Sequence, residues 1–272
     1  MRWYLAFRYP VQAWDTYQFE KRYAREKLYQ SRVQEYDRYL RDPTPTLSAH
    51  FPGADVDGLI HEVQGKRALY DRIAQLSAKP QDFLYKSVFG IGTARGELLY
   101  AMTRLLKPEI ILETGVANGY SSAFFLQALA DNGRGHLHSV EYPPMGHWKD
   151  PRIGILVPPE LRNRWTIHLG NSKRILPKLV RQLGKVDLFL HDSDHCFDSL
   201  LFELRTTWPA IPPSGVLLSD DITMNNAFVT FCDGVGRQPI NLREPGETHP
   251  LGFVPKTLRP GEEGAGHAPA TP

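Results

Sequence analysis

Cysteine is scarce in this chain of 272 residues, which contains only Cys196 and Cys232. The two are far apart and lie outside any CxxC pattern, which argues against a disulfide framework and a thiolate zinc site and favours a reducing, cytoplasmic location. Long apolar runs are also lacking. The aromatic N-terminus is interrupted by Arg8 and Pro10, well short of a signal-peptide core or a membrane span, so we expect neither export nor a membrane-spanning helix.

An excess of one charge is lacking as well. The formal net charge is +2, with 23% charged and 42% hydrophobic residues, so nothing in the electrostatics points to nucleic acid as a partner. The length suits one large α/β domain with extensions. From these bulk properties we expect a soluble enzyme or binding domain, and they do not specify the function further.

The first third of the chain has a helical pattern. Residues 15–40 are rich in Arg, Lys, Glu and Tyr without Gly or Pro, which predicts one amphipathic helix that packs on the main domain or on a second subunit. A membrane-surface role for this helix is the alternative. A linker-like stretch follows, then helices at 56–76 and 94–106. We therefore predict an N-terminal helical extension over residues 1–85, through which the chain forms a homo-oligomer.

From Lys107 onward, short apolar runs alternate with helical patterns. The apolar runs are EIILET, HLHSVE, WTIHLG, VDLFLH and GVLLSD. This alternation is typical of βαβ units, and hence of a parallel sheet with helices on both faces. Two further short runs, PINL and LGFVP, predict a hairpin that adds one antiparallel strand. We assign this domain to residues 86–255 and predict a disordered tail over residues 256–272.

Acidic residues follow most of these predicted strands. They are Glu113, Glu141, Asp192, Asp220 and Asp221. Ligands of parallel sheets bind at the carboxyl ends of the strands, where these side chains converge. This shared placement is the strongest functional signal in the sequence.

The loop after the first strand, ETGVANGYSS, is rich in glycine but lacks the GxGxxG spacing of dinucleotide sites. Glu113 at the strand end disfavours a pyrophosphate and suits a cationic ligand, which Gly115 and Gly119 would allow to approach the backbone closely. Glu141 lies about twenty residues further on, where an acid can hold both hydroxyls of a ribose. A nucleoside that carries a positive charge is S-adenosylmethionine.

The order of these motifs resembles that of the class I S-adenosylmethionine-dependent methyltransferases. The motifs are ExGxxxGYS after the first strand, an acid ending the second, GNS after the third and DxDH after the fourth. More narrowly, they resemble the metal-dependent O-methyltransferases that act on catechols, on caffeoyl-coenzyme A and, closer still, on sugars in antibiotic biosynthesis. The resemblance covers about residues 90–255 and implies a Rossmann-like, seven-stranded, mostly parallel sheet. The cofactor-binding residues it implies are Glu113, Gly115, Asn118, Gly119, Ser121, Ser122, Glu141, Asn171, Ser172 and Asp192. Two of them have an alternative structural role: Glu113 as a strand-end acid that caps the next helix, and Ser172 as the N-cap of the helix that follows it.

Asp192, Asp220 and Asp221 end two adjacent strands and supply three hard oxygen ligands without a thiolate. Such ligands favour Mg²⁺ or Mn²⁺, and three carboxylates without a cation between them would repel one another. In the resembling enzymes these positions bind the divalent metal, but the third ligand there is often Asn, whereas here it is Asp221. Helix caps and surface charge are the alternative interpretation.

Methyl transfer to a hydroxyl also needs a group that accepts the hydroxyl proton. His195 is favoured as this base because its ordinary pKa lies near working pH, and Asp194 is the alternative. The catechol enzymes carry a Lys where this chain has His195, which moves the expected acceptor towards a sugar or another polyol. His191, on the opposite face of the strand, is expected to be a buried, hydrogen-bonded residue.

Two further patterns are less specific. His136 and His138 share one strand face, but the sequence offers no third metal ligand near them. The long Pro-rich loop after Glu141 forms either a lid, with His147 and Trp148 as cofactor contacts, or a plain surface excursion.

The sequence thus predicts a Mg²⁺-dependent O-methyltransferase that acts on a hydroxyl of a small molecule. Two alternatives remain open. One is a metal-independent methyltransferase that acts on nitrogen. The other is a non-catalytic binding or assembly protein that keeps the methyltransferase fold.

Overall fold

The computed structural model describes residues 8–85, 93–243 and 249–257. Within these ranges the α-helices are α1 (Pro10–Tyr23), α2 (Pro43–His50), α3 (Val56–Gln64), α4 (Arg67–Ser77), α5 (Thr93–Leu106), α6 (Tyr120–Asp131), α7 (Ser172–Leu183), α8 (Phe197–Thr207) and α9 (Ala227–Gly234). The strands are β1 (Leu40–Arg41), β2 (Ile110–Thr114), β3 (His136–Glu141), β4 (Trp165–Leu169), β5 (Leu188–His191), β6 (Val216–Ser219), β7 (Ile240–Leu242) and β8 (Leu251–Pro255). Short 3₁₀ helices span Glu26–Tyr29, Val33–Tyr39, Pro80–Asp82, Pro159–Arg164, Trp208–Ala210 and Ile222–Met224.

The strands form one sheet in the order β1-β7-β8-β6-β5-β2-β3-β4. β8 runs antiparallel to both of its neighbours, and the other pairs are parallel. The predicted α/β class and the antiparallel strand are therefore confirmed. The predicted count of seven strands is wrong for the described residues, because Leu40 and Arg41 pair in parallel with Asn241 and Leu242 and add an eighth strand at the edge.

Alternate residues of the central strands pack into two separate cores, one on each face of the sheet. Ile111, Leu188 and Leu190 belong to the core that α3, α5 and α6 cover. Leu112 and Phe189, which point the other way, belong to the core beneath α7, α8 and α9. Each fully buried Leu or Phe contributes about 1.5–3 kcal/mol. The continuous apolar runs in the sequence are explained by this burial on both faces.

The N-terminal region differs from the sequence prediction in three ways. The single helix expected over residues 15–40 is instead α1 followed by two 3₁₀ turns and β1. The stretch expected to be a linker contains α2, whose N-cap Asp42 accepts a hydrogen bond from Thr44 N at 3.1 Å. The helix expected over 56–76 is two helices, separated at Gly65 and Lys66.

Tertiary contacts explain why α1 stops early. The ring of Tyr36 is buried, and its hydroxyl donates to the carbonyl of Asn225 at 2.8 Å. Asn226 N donates to the carbonyl of Tyr29 at 2.7 Å. These contacts hold residues 26–39 against the loop after β6, and a straight continuation of α1 could not make them. Helical spacing alone therefore overestimated the helix.

The positions beyond residue 257 lie outside the described residues, so the predicted disorder of the tail is not tested. The boundary expected between residues 85 and 86 also adjoins residues outside the described ranges. Among the described helices, none combines the length and the apolar character that crossing a membrane requires.

Candidate active site

A cavity of about 1010 Å³ opens at the carboxyl ends of the strands. Most of the residues that the sequence analysis selected lie on its walls. Those on the walls are Gly115, Asn118, Ser121, Glu141, Asn171, Ser172, Asp192, Asp194, His195, Asp220 and Asp221. The sheet therefore brings together side chains that are more than a hundred positions apart in the sequence.

The loop between β2 and α6 owes its path to glycine. Gly115 has a φ of 87°, and a Cβ atom placed on it would lie 1.9 Å from the carbonyl oxygen of Asp192. Gly119 has a φ of 85° at the start of α6, where a Cβ would lie 2.7 Å from the Cα of Gly154. Side chains at these positions would be both strained and too close to backbone. Glycine thus lets the loop lie directly against the end of β5.

Glu113 lies beneath this loop and is fully buried, and it does not line the cavity. Its carboxylate accepts hydrogen bonds from the hydroxyls of Ser121, Ser122 and Ser139, the latter two at 2.6 and 2.8 Å. Burial raises the pKa of this carboxyl above its usual range. Of the other predicted cofactor residues, Gly119 and Ser122 likewise do not line the cavity. In this arrangement Glu113 supports the loop from below.

Glu141, at the end of β3, is held by three donors. Its Oε2 accepts from the backbone amides of Val116 and Ala117 at 2.6 and 2.9 Å. Its Oε1 accepts from the hydroxyl of Tyr85 at 2.5 Å. The sequence analysis did not select Tyr85, which lies 56 positions before Glu141 and outside every motif.

Asn171 and Ser172 begin α7 on the cavity wall. The N-cap is Asn171, whose side chain accepts from Lys173 N at 3.0 Å. Ser172 is the first residue of the helix. The N-cap role that the sequence allowed for Ser172 is therefore taken by its neighbour.

His195 lies between two of the predicted metal ligands. Its Nε2 is 3.7 Å from Asp192 Oδ1 and 3.7 Å from Asp221 Oδ2. Burial lowers the pKa of the His195 imidazole, while burial and the charges of Asp220, Glu113 and Asp221 raise the pKa of Asp192. His195 Nδ1 is buried and has no hydrogen-bond partner among the described residues.

Asp220 forms an ion pair with an arginine that the sequence analysis did not select. Arg95, at the start of α5, is buried and forms an ion pair with Asp220, and it also donates to the carbonyl of His249 at 2.5 Å. In the part of the chain that the structure describes, no group of three or more His, Cys, Asp or Glu side chains stands arranged to hold a metal ion. The three carboxylates share a cavity, but as they stand they do not form a closed set of ligands.

Asp194 is bonded on several sides. It accepts from Ser199 Oγ at 2.6 Å, from Cys196 N at 3.0 Å and from Arg22 of α1 at 3.0 Å. Although burial alone would raise the pKa of Asp194, these hydrogen bonds hold it below its usual value. Among the described residues, His195 has no comparable set of hydrogen-bond partners.

His191 is fully buried, and its Nδ1 lies 2.7 Å from Glu203 Oε2. Thr114 and Ser193 donate to the same carboxylate at 2.5 and 2.9 Å. The predicted structural role of His191 as a buried, hydrogen-bonded residue is confirmed.

Helix α1 forms one wall of the cavity. Gln12 donates to the carbonyl of Pro143 at 3.2 Å, and Asp15 pairs with Arg174 at 2.7 Å. Together with the pairing of Arg22 and Asp194, these contacts attach α1 to the ends of β3, β4 and β5. The helix that the sequence placed on the main domain or on a second subunit therefore packs on its own main domain.

The loop after β3 contributes Tyr142 and the residues that follow it to the same wall. His147 and Trp148 do not line the cavity: His147 Nδ1 is 3.0 Å from Asp150 Oδ2, and Trp148 is 43% exposed with its ring packed edge-on against Tyr142. The base of the loop thus belongs to the cavity, while its tip is a surface excursion.

The pair His136 and His138 has a third histidine beside it that the sequence did not reveal. His168 of β4 lies with its Nε2 3.2 Å from His138 Nδ1. His136 Nε2 is directed to Thr166 Oγ1 at 2.8 Å. This histidine cluster, His136, His138 and His168, lies on one face of β3 and β4, away from the cavity walls.

The histidine cluster predicts a loss of stability in acid. Burial and the neighbouring histidines lower the pKa of His138 from 6.5 to about 4. Between pH 6.5 and 4, His138 is therefore protonated in the unfolded chain but neutral in the folded chain. The free energy of unfolding falls as the pH drops through this range. After discounting for solvent screening, we expect His138→Gln to remove about 1 kcal/mol of the difference between urea unfolding at pH 7 and at pH 5. His61→Gln, on the exposed face of α3, is the matched control; equal pH dependence in wild type and His138→Gln would contradict this prediction.

Part of the sequence around this site is similar to a known protein family. The sequence model of a methyltransferase domain matches residues 112–222, which run from β2 past the end of β6. Residues 112–222 are therefore similar in sequence to a methyltransferase domain. This range holds nearly all of the predicted cofactor and acidic residues, whereas α1, Tyr85 and Arg95 lie outside it.

Two solved structures have a similar fold but share little sequence with the chain. An O-methyltransferase from Bacillus cereus in complex with SAH is 15% identical, with 68% of this chain and 88% of that chain covered and a TM-score of 0.52. Cofactor-bound Rv0187 from MTB is 13% identical, with 69% and 91% covered and a TM-score of 0.53. Among curated proteins, none matches the chain. The predicted resemblance to class I S-adenosylmethionine-dependent methyltransferases is confirmed for the domain and the fold.

Proposed function

We propose that the chain is an S-adenosylmethionine-dependent O-methyltransferase that acts on a hydroxyl of a small molecule, with a sugar or another polyol favoured. One observation carries the proposal: the glycine loop, Glu141 and the pair of His195 with its flanking carboxylates open into one cavity of about 1010 Å³. This volume suits a cofactor and a small acceptor side by side. The O-methyltransferase from Bacillus cereus with bound SAH has the same fold, which supports the choice of cofactor.

The residues of the cavity suggest how the cofactor is held. The backbone of the glycine loop lies open to the cavity, and Glu141 ends the strand where a ribose acceptor is expected. Asn118 Oδ1 is buried without a hydrogen-bond partner among the described residues, so it is available to a donor of the cofactor. A buried acceptor without a partner costs free energy, which a bound ligand would recover.

The reaction itself needs alignment and a proton acceptor. The acceptor oxygen forms a bond to the methyl carbon, the bond between that carbon and the sulfonium sulfur breaks, and the electron pair remains on sulfur. The hydroxyl proton passes to His195 Nε2. Asp192 and Asp221, each 3.7 Å from this nitrogen, would stabilise the resulting imidazolium when no cation is bound between them. Holding the two reactants in line supplies much of the remaining acceleration.

The chemistry of the donor set fits a hard divalent cation, and Asp192, Asp220 and Asp221 would hold Mg²⁺ or Mn²⁺. Burial, and then the repulsion between the carboxylates, raise the pKa of Asp192, and such an ion would relieve the repulsion. Asp220 would have to exchange or share its bond to Arg95. When bound, the cation would lower the pKa of the acceptor hydroxyl.

The homo-oligomer remains a prediction. The outward side of α1 would supply its contact surface, because Val11, Trp14 and Tyr17 are exposed there. A cytoplasmic location also remains a prediction, supported by two free, buried cysteines. Sedimentation of the full chain measures the number of copies.

Calorimetric titration with S-adenosylmethionine, followed by an assay of S-adenosylhomocysteine release from sugars, polyols and catechols, tests the proposal. We expect cofactor binding, release of S-adenosylhomocysteine with at least one hydroxyl acceptor, and loss of that release with a chelator until Mg²⁺ is added back. Absence of cofactor binding would overturn the whole proposal. Turnover that survives chelation would overturn only the proposed role of the divalent cation. Turnover with amines alone would overturn the proposal that the acceptor is a hydroxyl.

A further inference from the structure

Tyr85 lies between two predicted cofactor residues that come from different strand ends. Its hydroxyl donates to Glu141 Oε1 at 2.5 Å, and its carbonyl accepts from Asn118 Nδ2 at 3.1 Å. Asn118 belongs to the loop after β2, whereas Glu141 ends β3. Tyr85 therefore spans the part of the cavity where the nucleoside of the cofactor is expected.

The hydrogen-bonding capacity of Glu141 is nearly exhausted by these contacts. Each carboxylate oxygen can accept about two hydrogen bonds. Oε2 already accepts from Val116 N and Ala117 N, and Oε1 accepts from Tyr85. One acceptor position is left, whereas a ribose presents two hydroxyls. A ribose can use both of its hydroxyls on Glu141 only if the Tyr85 hydroxyl withdraws.

The chain on the N-terminal side of Tyr85 is anchored. Phe83 is only 1% exposed and lines the same cavity, and the 3₁₀ turn Pro80–Asp82 precedes it. The Tyr85 phenol is held in its protonated, donating form, because burial and the charge of Glu141 raise its pKa. Tyr85 is thus a neutral donor at the end of a fixed segment, in a position that a hydroxyl of the ligand can take over.

We propose that Tyr85 competes with the ribose hydroxyls for Glu141 and leaves this carboxylate when the cofactor binds. The N-terminal extension then sets the affinity for the cofactor through this one contact. The inference rests on the proposed function, since it requires S-adenosylmethionine to bind at Glu141. It adds a residue outside the methyltransferase domain to the determinants of cofactor binding.

Calorimetric titration of S-adenosylhomocysteine into the wild-type full chain and into Tyr85→Phe tests the inference. Phenylalanine keeps the ring and removes only the competing hydroxyl, so we expect about 10-fold tighter binding, since a hydrogen bond to a charged group no longer has to be broken. Without ligand, Tyr85→Phe should melt at a lower temperature than the wild type, and its stabilisation by the ligand should be larger. Tyr70→Phe is the matched control, because Tyr70 also donates its phenol hydroxyl to a glutamate, Glu97, at 2.8 Å but does not line the cavity.

The outcomes separate the inference from the function on which it rests. Tighter binding by Tyr85→Phe, with Tyr70→Phe unchanged, supports the competition. Unchanged or weaker binding by Tyr85→Phe, while the wild type binds, overturns the inference and leaves the proposed function standing, with Tyr85 as a contact of the bound cofactor. If neither protein binds S-adenosylhomocysteine, the proposed function fails and the inference fails with it.

Discussion

Replacing His195 with glutamine is expected to lower the rate of methyl transfer by about 10²–10⁴-fold, the usual contribution of a positioned general base. His195 Nε2 lies 3.7 Å from both Asp192 and Asp221, and glutamine keeps a polar side chain there but cannot accept the hydroxyl proton. The loss should appear in kcat, with the affinity for S-adenosylhomocysteine changed less than about threefold, because the base acts in the transition state. Steady-state kinetics with the best acceptor and a cofactor titration measure the two quantities.

Asp194→Asn is the matched comparison for this prediction. Asp194 accepts hydrogen bonds from Arg22, Ser199 and the amide of Cys196. Its replacement should therefore weaken the attachment of α1 and lower the melting temperature, while kcat should fall far less than in His195→Gln. The assignment would be reversed if Asp194→Asn abolished turnover while His195→Gln retained it. The two variants therefore decide between the two bases that the sequence left open.

Gly115→Ala is expected to destabilise the fold by about 3 kcal/mol and to weaken cofactor binding at least about 100-fold. The backbone at this position has a φ of 87°, and the added Cβ would lie 1.9 Å from the carbonyl oxygen of Asp192. Backbone cannot yield as a flexible side chain does, so either the glycine loop or the end of β5 has to move. Both belong to the cofactor side of the cavity, which is why binding and stability should fall together.

Gly184→Ala is a control variant that introduces backbone strain at a positive φ without a close contact to other atoms. Gly184, after α7, has a φ of 70°, but a Cβ there would have no atom of the described residues within 4 Å. We expect it to cost about 1 kcal/mol and to leave the affinity for S-adenosylhomocysteine unchanged. If Gly115→Ala behaved like Gly184→Ala in both urea unfolding and calorimetry, the close contact between the glycine loop and Asp192 would be refuted.

The placement of acids at strand ends was predictable from the sequence, because strand direction in βαβ units follows from the alternation of apolar runs and helices. Glu141, Asp192 and Asp220 each follow such a run, and each lies on the cavity wall. Glu113 is the exception, because it also ends a strand but does not reach the cavity. It is buried beneath the loop, where it accepts hydrogen bonds from three serine hydroxyls. Position along a strand fixes the edge of the sheet but not the direction of every side chain.

The partners of these acids were not predictable, because they arrive from regions without a motif. Tyr85 reaches Glu141, Arg95 reaches Asp220 and Arg22 reaches Asp194, over separations of 56, 125 and 172 positions. Such contacts depend on how the N-terminal helices pack, and that packing also overrode the helical spacing of residues 15–40. His168 escaped notice for a similar reason, since only the pairing of β3 with β4 brings it beside His138.

A crystal structure of the full chain with S-adenosylhomocysteine tests the central claim most directly. The predicted result is a ligand in the strand-end cavity, with its ribose hydroxyls on Glu141 and its sulfur on the side of Asp192 and His195. A ligand bound elsewhere on the chain, or in the cavity with its ribose remote from Glu141, would contradict the account.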